Sequence, residues 1–285
     1  MLLNIEHHTQ YIYSAAAQYS IQQLRLTPRD GMGQQVRHWQ IKVNGQCHAF
    51  EDTYGNLTHT LVIDQPHHEL LISVAGEVET GVANQPGAPG LPLALYLRES
   101  LLTQADAAMT AFASQFAGQL SSKLSKVALT DMMHALRDKM DYLKGATQVH
   151  TPAAEAFRLG KGVCQDHAHA FIGCCRSLGL PARYVSGYLF TADGSLMQTH
   201  AWVEVWQGQQ WLGLDVSNGC LTDERHVRLA VGLDYHSASP VTGTRIGGGL
   251  EGMASAVSVN QTALTHEQRQ RHHEQLYHQA VSAQQ

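Results

Sequence analysis

Hydrophobic and polar positions alternate with period two from residue 2 to about 80, and helical spacing takes over further along the chain. In the first stretch Leu3, Ile5, His7, Thr9, Tyr11 and Tyr13 share one face. Trp39, Ile41 and Val43 share the next, followed by Leu57, His59, Leu61 and Ile63, then Leu70, Ile72 and Val74. Turn signals at Asp30-Gly31, Asn44-Gly45, Tyr54-Gly55-Asn56 and Gln65-Pro66 separate these runs at short intervals, which predicts an antiparallel β-sandwich over residues 1–80. Residues 81–92, with Asn84-Gln85-Pro86-Gly87-Ala88-Pro89-Gly90, have the composition of a linker. Beyond it, residues 105–116 are alanine-rich, and Leu129, Met132, Met133, Leu136, Met140 and Leu143 form an apolar stripe ending at Gly145. Core packing explains that methionine stripe better than an adaptable docking surface. Thr151-Pro152 predicts an N-cap and first-turn proline for a short helix stopping at Gly160.

That helix delivers the chain to Gly162-Val163-Cys164-Gln165-Asp166-His167-Ala168-His169, around which the rest is organised. Ala168, Phe171, Ile172, Cys175 and Leu178 recur at helical spacing, so Cys164 falls in the first turn of a helix ending near Gly179. Unpaired backbone N–H groups and the helix dipole favour a thiolate there. Strands follow at 183–190, with a turn at Ala192-Asp193-Gly194, then at 199–206 and 211–215. With a four-residue hairpin loop at 207–210, Trp206 pairs with Trp211, and Asp215 falls opposite Trp202 on the face of His200, one diagonal step away. This is the order of a thiolate–imidazolium pair steered by a carboxylate. Trp202 and Trp206 share that face and would shield the pair, line an acyl-binding groove, or simply be buried. The Cys164 backbone N–H is the best oxyanion donor, and Gln165 and Tyr142 are the candidates for a second. Asp166 reads as a cap or a structural partner for a residue such as Arg183, and His167 as a hydrogen-bonded residue near the helix start rather than a rim helper.

These segments together resemble the bacterial transglutaminase-like proteins, proposed cysteine proteases. The resemblance rests on Gly162-Val163-Cys164-Gln165-Asp166-His167, Pro181-Ala182-Arg183-Tyr184-Val185-Ser186-Gly187-Tyr188, Thr199-His200-Ala201-Trp202-Val203-Glu204-Val205 and Trp211-Leu212-Gly213-Leu214-Asp215. Glu224-Arg225-His226-Val227 and Gly232-Leu233-Asp234-Tyr235 extend it. Upstream, Arg25-Leu26-Thr27-Pro28-Arg29 and Asp52-Thr53-Tyr54-Gly55-Asn56 resemble the β-rich region that precedes the core in this family. One departure is Asp215-Val216-Ser217-Asn218, where Asp-Pro-Thr-Asn is more usual. The resemblance implies an α+β chain: an N-terminal antiparallel β-sandwich, then a papain-like, transglutaminase-like core at 93–262. In that core a helix bearing cysteine packs on an antiparallel sheet bearing histidine and aspartate. Strands are expected at 227–229 and 253–259, and a polar, histidine-rich tail at 263–285 (His266, His272, His273, His278).

Composition narrows the function classes. The 285 residues are 44% hydrophobic and 15% charged with a net charge of −5, which describes a globular chain and argues against nucleic acid or anionic membrane as main partners. The N-terminus has no basic region, no run approaches membrane-spanning length, and the five cysteines are odd in number and irregularly spaced. A cytoplasmic location is therefore expected. A zinc site started by Cys164 and His167 and completed by His169, Cys174 or Cys220 lacks the paired knuckles of structural zinc, and no acidic loop suits calcium. No metal or cofactor is expected. The sequence thus predicts a cysteine-dependent acyl-transfer enzyme acting on peptide or protein amides through a thioester, with catalytic Cys164, His200 and Asp215. Resemblance to the bacterial branch favours a peptidase or amidase. Amine transfer, as in a transglutaminase, and a non-catalytic peptide-binding relic are the alternatives. Oligomeric state leaves no trace in the sequence.

Overall fold

The computed structural model describes residues 1–82, 90–120, 125–191 and 199–261. The turn at Ala192-Asp193-Gly194, most of the linker and the histidine-rich tail lie outside the described residues. The N-terminal region is one sheet built on a 23-residue strand, β1 (Leu2–Leu24). It is joined by β2 (Gln34–Val43), β3 (Gln46–Glu51), β4 (Leu57–Ile63) and β5 (His67–Thr80).

Alternating burial along β1 holds through Tyr13 and is interrupted at Ser14-Ala15-Ala16, before Ala17 returns inward. Its pairing register shifts over the same residues, and small side chains let the strand change partners there. The first half of β1 pairs with β5, and the second half with β4.

The other edge of β1 is filled from the far end of the chain. Residues 241–260, grouped by the sequence reading with the core at 93–262, form β13 (Val241–Gly247) and β14 (Glu251–Asn260), both antiparallel to β1. Ile5 faces Val259 and Ile21 faces Thr244. The physical reason is burial. Val257 and Val259 alternate into the same core as Leu3, Ile5, Leu70 and Ile72, and pairing them there covers most of that edge of β1.

Between these strands run the elements of the core. They are α1 (Ala107–Ser114), α2 (Ala117–Leu120), α3 (Ser125–Lys139), β6 (Asp141–Tyr142), α4 (Ala153–Leu159), β7 (Lys161–Gly162), α5 (Cys164–Ser177), β8 (Ala182–Leu189), β9 (His200–Gln207), β10 (Gln210–Asp215), β11 (Cys220–Leu221), β12 (His226–Gly232) and α6 (Tyr235–Ala238). The second sheet is antiparallel, in the order β11-β10-β9-β8-β12. Its β8 and β9 carry α5. Met109, Met132, Met133, Leu136, Met140 and Phe157 close over Phe171 and Ile172, so the methionine stripe is core. Leu143 falls outside it, past the end of α3, and is exposed. At α4 the cap is Pro152 rather than Thr151, whose hydroxyl instead accepts from the Gln148 N–H. Among the described residues no helix is long and apolar enough to cross a membrane.

The two sheets are tied together. Tyr188, Val227 and Leu229 pack into the core of the N-terminal sheet, and His7 Nδ1 lies 2.8 Å from the Tyr188 hydroxyl. Burial pushes the His7 pKa down to about 3, so the ring is neutral in this contact. β12 is an edge strand, and two side-chain amides stand in for a neighbouring strand. Gln34 accepts from the Arg228 N–H at 2.8 Å and donates to its carbonyl at 2.9 Å. Asn56 does the same for Val231, both bonds at 2.8 Å. Asn56→Ala strands two buried backbone groups, and each such group costs on the order of 1–3 kcal/mol. The expected result is a loss of about 2 kcal/mol of unfolding free energy in a urea titration. A midpoint within error of the parent would show that β12 does not depend on this amide.

Candidate active site

The site starts from a loop that can close only over a glycine. β6 and β7 pair in parallel, setting Tyr142 beside Gly162. A β-carbon on Gly162 would collide with the Asp166 side chain. Asp166 folds back there to accept from the Val163 N–H at 2.8 Å and the Thr147 hydroxyl at 2.7 Å. Asp166 therefore organises the loop before the helix, with no contact to Arg183. Arg183 instead pairs with the buried Glu204 at 2.6 Å and stacks on Trp211 at 3.8 Å. Cys164 opens α5, where the first backbone N–H groups lack intrahelical partners.

His167, one turn on, has Nδ1 2.9 Å from the Val163 carbonyl and Nε2 2.9 Å from the Met140 carbonyl. Both ring nitrogens are occupied, so it is not a ligand beside Cys164. His169 and Cys174 are buried; His169 Nε2 accepts from the Tyr235 N–H at 3.1 Å, and the Cys174 thiol donates to the Met109 carbonyl at 3.8 Å.

β9 and β10 supply the other two groups. Trp206 pairs with Trp211 as the alternation predicts, but the strands continue to Gln207 and Gln210, leaving a two-residue turn in place of the expected four. Gly208 (φ 57°) and Gln209 (φ 72°) both take left-handed conformations, whose twist suits a two-residue hairpin. The register carries Asp215 to His200: Nε2 lies 2.7 Å from Asp215 Oδ2. The other ring nitrogen, Nδ1, is left for Cys164, whose side chain is near enough to help raise the His200 pKa. Val216 is buried and the turn after Asp215 is closed by the carboxylate itself. Its Oδ1 accepts from the Ser217 hydroxyl at 3.1 Å and the Asn218 N–H at 3.2 Å.

The electrostatics follow from this packing. Burial penalises the His200 cation, yet the hydrogen bonds to Asp215 and Cys164, and their negative charges, push its pKa up to about 10. Burial likewise disfavours the Asp215 anion, but donors from His200, His226 and Asn218 hold the carboxyl well below the usual range. Burial pushes Cys47, Cys174, Cys175 and Cys220 up, Cys174 to about 12. A charged imidazole beside a cysteine at a helix start is the arrangement that suits a sulfur nucleophile.

The two second-donor candidates separate. Gln165 is buried and its amide donates to the Val149 carbonyl at 2.9 Å. Tyr142 is exposed, stacks on His167 and lies near enough to the Cys164 side chain for that group to raise its pKa. Burial, then the charges of Cys164 and Asp215, push its pKa up to about 12, so it keeps its proton. Trp202 covers the pair, its ring 6.2 Å from that of His200, while Trp206 turns to Trp211 at 5.3 Å.

One residue at the site had no role in the sequence reading. His226, at the start of β12, has Nε2 3.2 Å from Asp215 Oδ2. Its Nδ1 accepts from the Asp223 N–H at 3.1 Å and lies 3.2 Å from Asp223 Oδ1. It reaches the site because Gly187, on the intervening β8, has no side chain: a β-carbon there would strike the Trp202 ring. That ring lies edge-on to His226 at 5.3 Å. The nearest signal in the sequence is the spacing Asp223-x-x-His226, which does not reveal which carboxylate the ring meets. His200, Asp215 and His226 form a buried group whose ligand atoms all lie within 4.8 Å of one another, the one metal-capable cluster among the described residues.

Comparison with known proteins places the chain in a family and matches its fold. Residues 3–79 match the bacterial transglutaminase-like N-terminal region, and residues 110–216 match the transglutaminase-like superfamily. The crystal structure of a proposed cysteine protease from Cytophaga hutchinsonii superposes with a TM-score of 0.73 at 20% identity, covering 93% of this chain and 92% of that one. An uncharacterized protein of Mycobacterium leprae is 27% identical, with 92% of this chain and 99% of that protein aligned. One from Mycobacterium bovis is 30% identical over 271 residues, 84% of this chain and 86% of that protein. With the two family regions in sequence order and a relative matched along most of both chains, the chain belongs to the transglutaminase-like superfamily.

Proposed function

We propose that this protein is a cysteine-dependent acyl-transfer enzyme that hydrolyses peptide or protein amides. The observation that carries the reading is the continuous chain Cys164–His200–Asp215, with a 2.7 Å bond at its buried end. The Cys164 thiolate attacks the amide carbonyl carbon, and the oxygen takes the electron pair while facing the Cys164 backbone N–H and the Tyr142 hydroxyl. The tetrahedral adduct expels the amine, which takes a proton from His200, and a thioester remains. His200 then removes a proton from water, the hydroxyl attacks the thioester, and the acid leaves as the thiolate is restored. Asp215 fixes the imidazole tautomer throughout.

The five free thiols support a cytoplasmic setting for this chemistry. Incubating the protein with amide-bearing peptides and a primary amine, with mass spectrometry of the products, tests the assignment. Cleavage or deamidation masses are expected; amine-adduct masses would replace hydrolysis with transfer, and unchanged peptides across a diverse library would point to a non-catalytic binder.

A further inference from the structure

We infer that His200, Asp215 and His226 form an inhibitory site for a first-row divalent cation, with zinc the best-suited occupant. Two imidazoles and one carboxylate are a borderline-soft donor set that zinc accepts, with a fourth position open to water. All three residues are buried and their ligand atoms already converge: Asp215 Oδ2 is 2.7 Å from His200 Nε2 and 3.2 Å from His226 Nε2. Tetrahedral zinc with ordinary bond lengths needs ligand atoms roughly 3.3 Å apart, so small shifts admit the ion. A cavity of about 430 Å³, lined by Asp215, Asn218, Cys220, Arg225 and His226 among others, opens onto two of the three ligands and offers a way in.

The strongest support comes from the far side of each ring. A metal-bound histidine usually presents its other nitrogen to an anion, which fixes the ring and raises its basicity. His226 Nδ1 already sits 3.2 Å from Asp223 Oδ1, and the remaining nitrogen of His200 faces the Cys164 thiol. Binding would require His226 Nδ1, which accepts from the Asp223 N–H, to turn to the neighbouring Asp223 carboxylate instead. The Nε2 proton of His226 moves to Nδ1 and is accepted by Asp223, itself paired with Arg225 at 2.7 Å. The Nε2 proton of His200 is released to solvent.

The consequence for turnover rests on the acyl-transfer reading above; the binding itself does not. With a cation on Nε2, neutral His200 keeps its one proton on Nδ1, facing Cys164. It then has no lone pair to receive a proton, and the base is blocked for as long as the metal stays. His226 thereby acquires a use that the triad alone does not give it.

The test measures binding without relying on activity. Full-length Cys164→Ala protein, which lacks the competing thiolate ligand, is titrated with zinc alone by calorimetry beside the Cys164→Ala/His226→Gln and Cys164→Ala/Asp223→Asn variants. All three keep the histidines of the C-terminal segment, so differences between them read this site. The expected result is one zinc equivalent that disappears in the His226→Gln protein and weakens about 10–100-fold in Asp223→Asn, where only the outer carboxylate is altered. Should the His226 variant fail to fold, the exposed Asp223 still supplies the comparison. Identical stoichiometry and affinity in all proteins that fold would overturn the site. Zinc binding without inhibition of a wild-type enzyme shown to be active would overturn the inhibitory role.

Discussion

Asp215→Asn is expected to lower turnover about 10⁴-fold while leaving the fold in place, the loss seen for the equivalent change in a serine triad. Asp215 is fully buried and only accepts. Oδ1 takes the Ser217 hydroxyl and the Asn218 N–H, and Oδ2 takes His200, His226 and the Asn218 amide. An asparagine keeping its oxygen toward Ser217 presents an NH₂ group to His200 Nε2. That nitrogen must then accept, which places the ring proton on Nδ1 against the thiol, the wrong tautomer for a base.

The pH dependence of stability gives a second readout. His200 is raised from 6.5 to about 10, so its contribution is complete below about 6.5 and is lost as pH rises through about 10. Asp215 is lowered, so its contribution is present above the ordinary carboxylate range and is lost as pH falls below it. In Asp215→Asn the alkaline fall in melting temperature should flatten, because the group holding the proton on His200 is gone. Unchanged turnover would move the role to another carboxylate. Glu204 is a poor substitute, since Arg183 and Arg228 hold both of its oxygens.

Cys164→Ala is expected to abolish turnover and leave the melting temperature within a degree or two of the parent. The side chain is partly exposed and packs against the edge of the core beneath α5 without being buried in it, and substitutions outside the buried core usually change stability by less than about 0.5 kcal/mol. Residual turnover near the wild-type level, measured on the same peptides, would remove Cys164 from the chemistry altogether.

What the sequence by itself determined is local. Cys164 falls at a helix start because glycines precede it and apolar residues follow at helical spacing. His200 reaches Asp215 because both lie on one hairpin, where alternation and a short loop dictate the register. The methionine stripe reads as core for the same reason: periodicity encodes which face is apolar.

What only the tertiary structure decided is which distant partner each face meets. Strands β13 and β14 return to β1 across more than 210 residues, and alternation within a strand carries no record of its neighbour. Gln34 and Asn56 cap the edge of β12 through side-chain amides that look like ordinary turn residues in sequence. Gln165 and Tyr142 were equivalent as oxyanion donors until packing tied one to Val149 and left the other beside the thiol. His226 meets Asp215 only because β12 pairs with β8 and Gly187 leaves Trp202 room between them. Such contacts depend on the relative placement of whole elements, which is set by the sum of buried area and satisfied backbone groups over the fold rather than by any one segment.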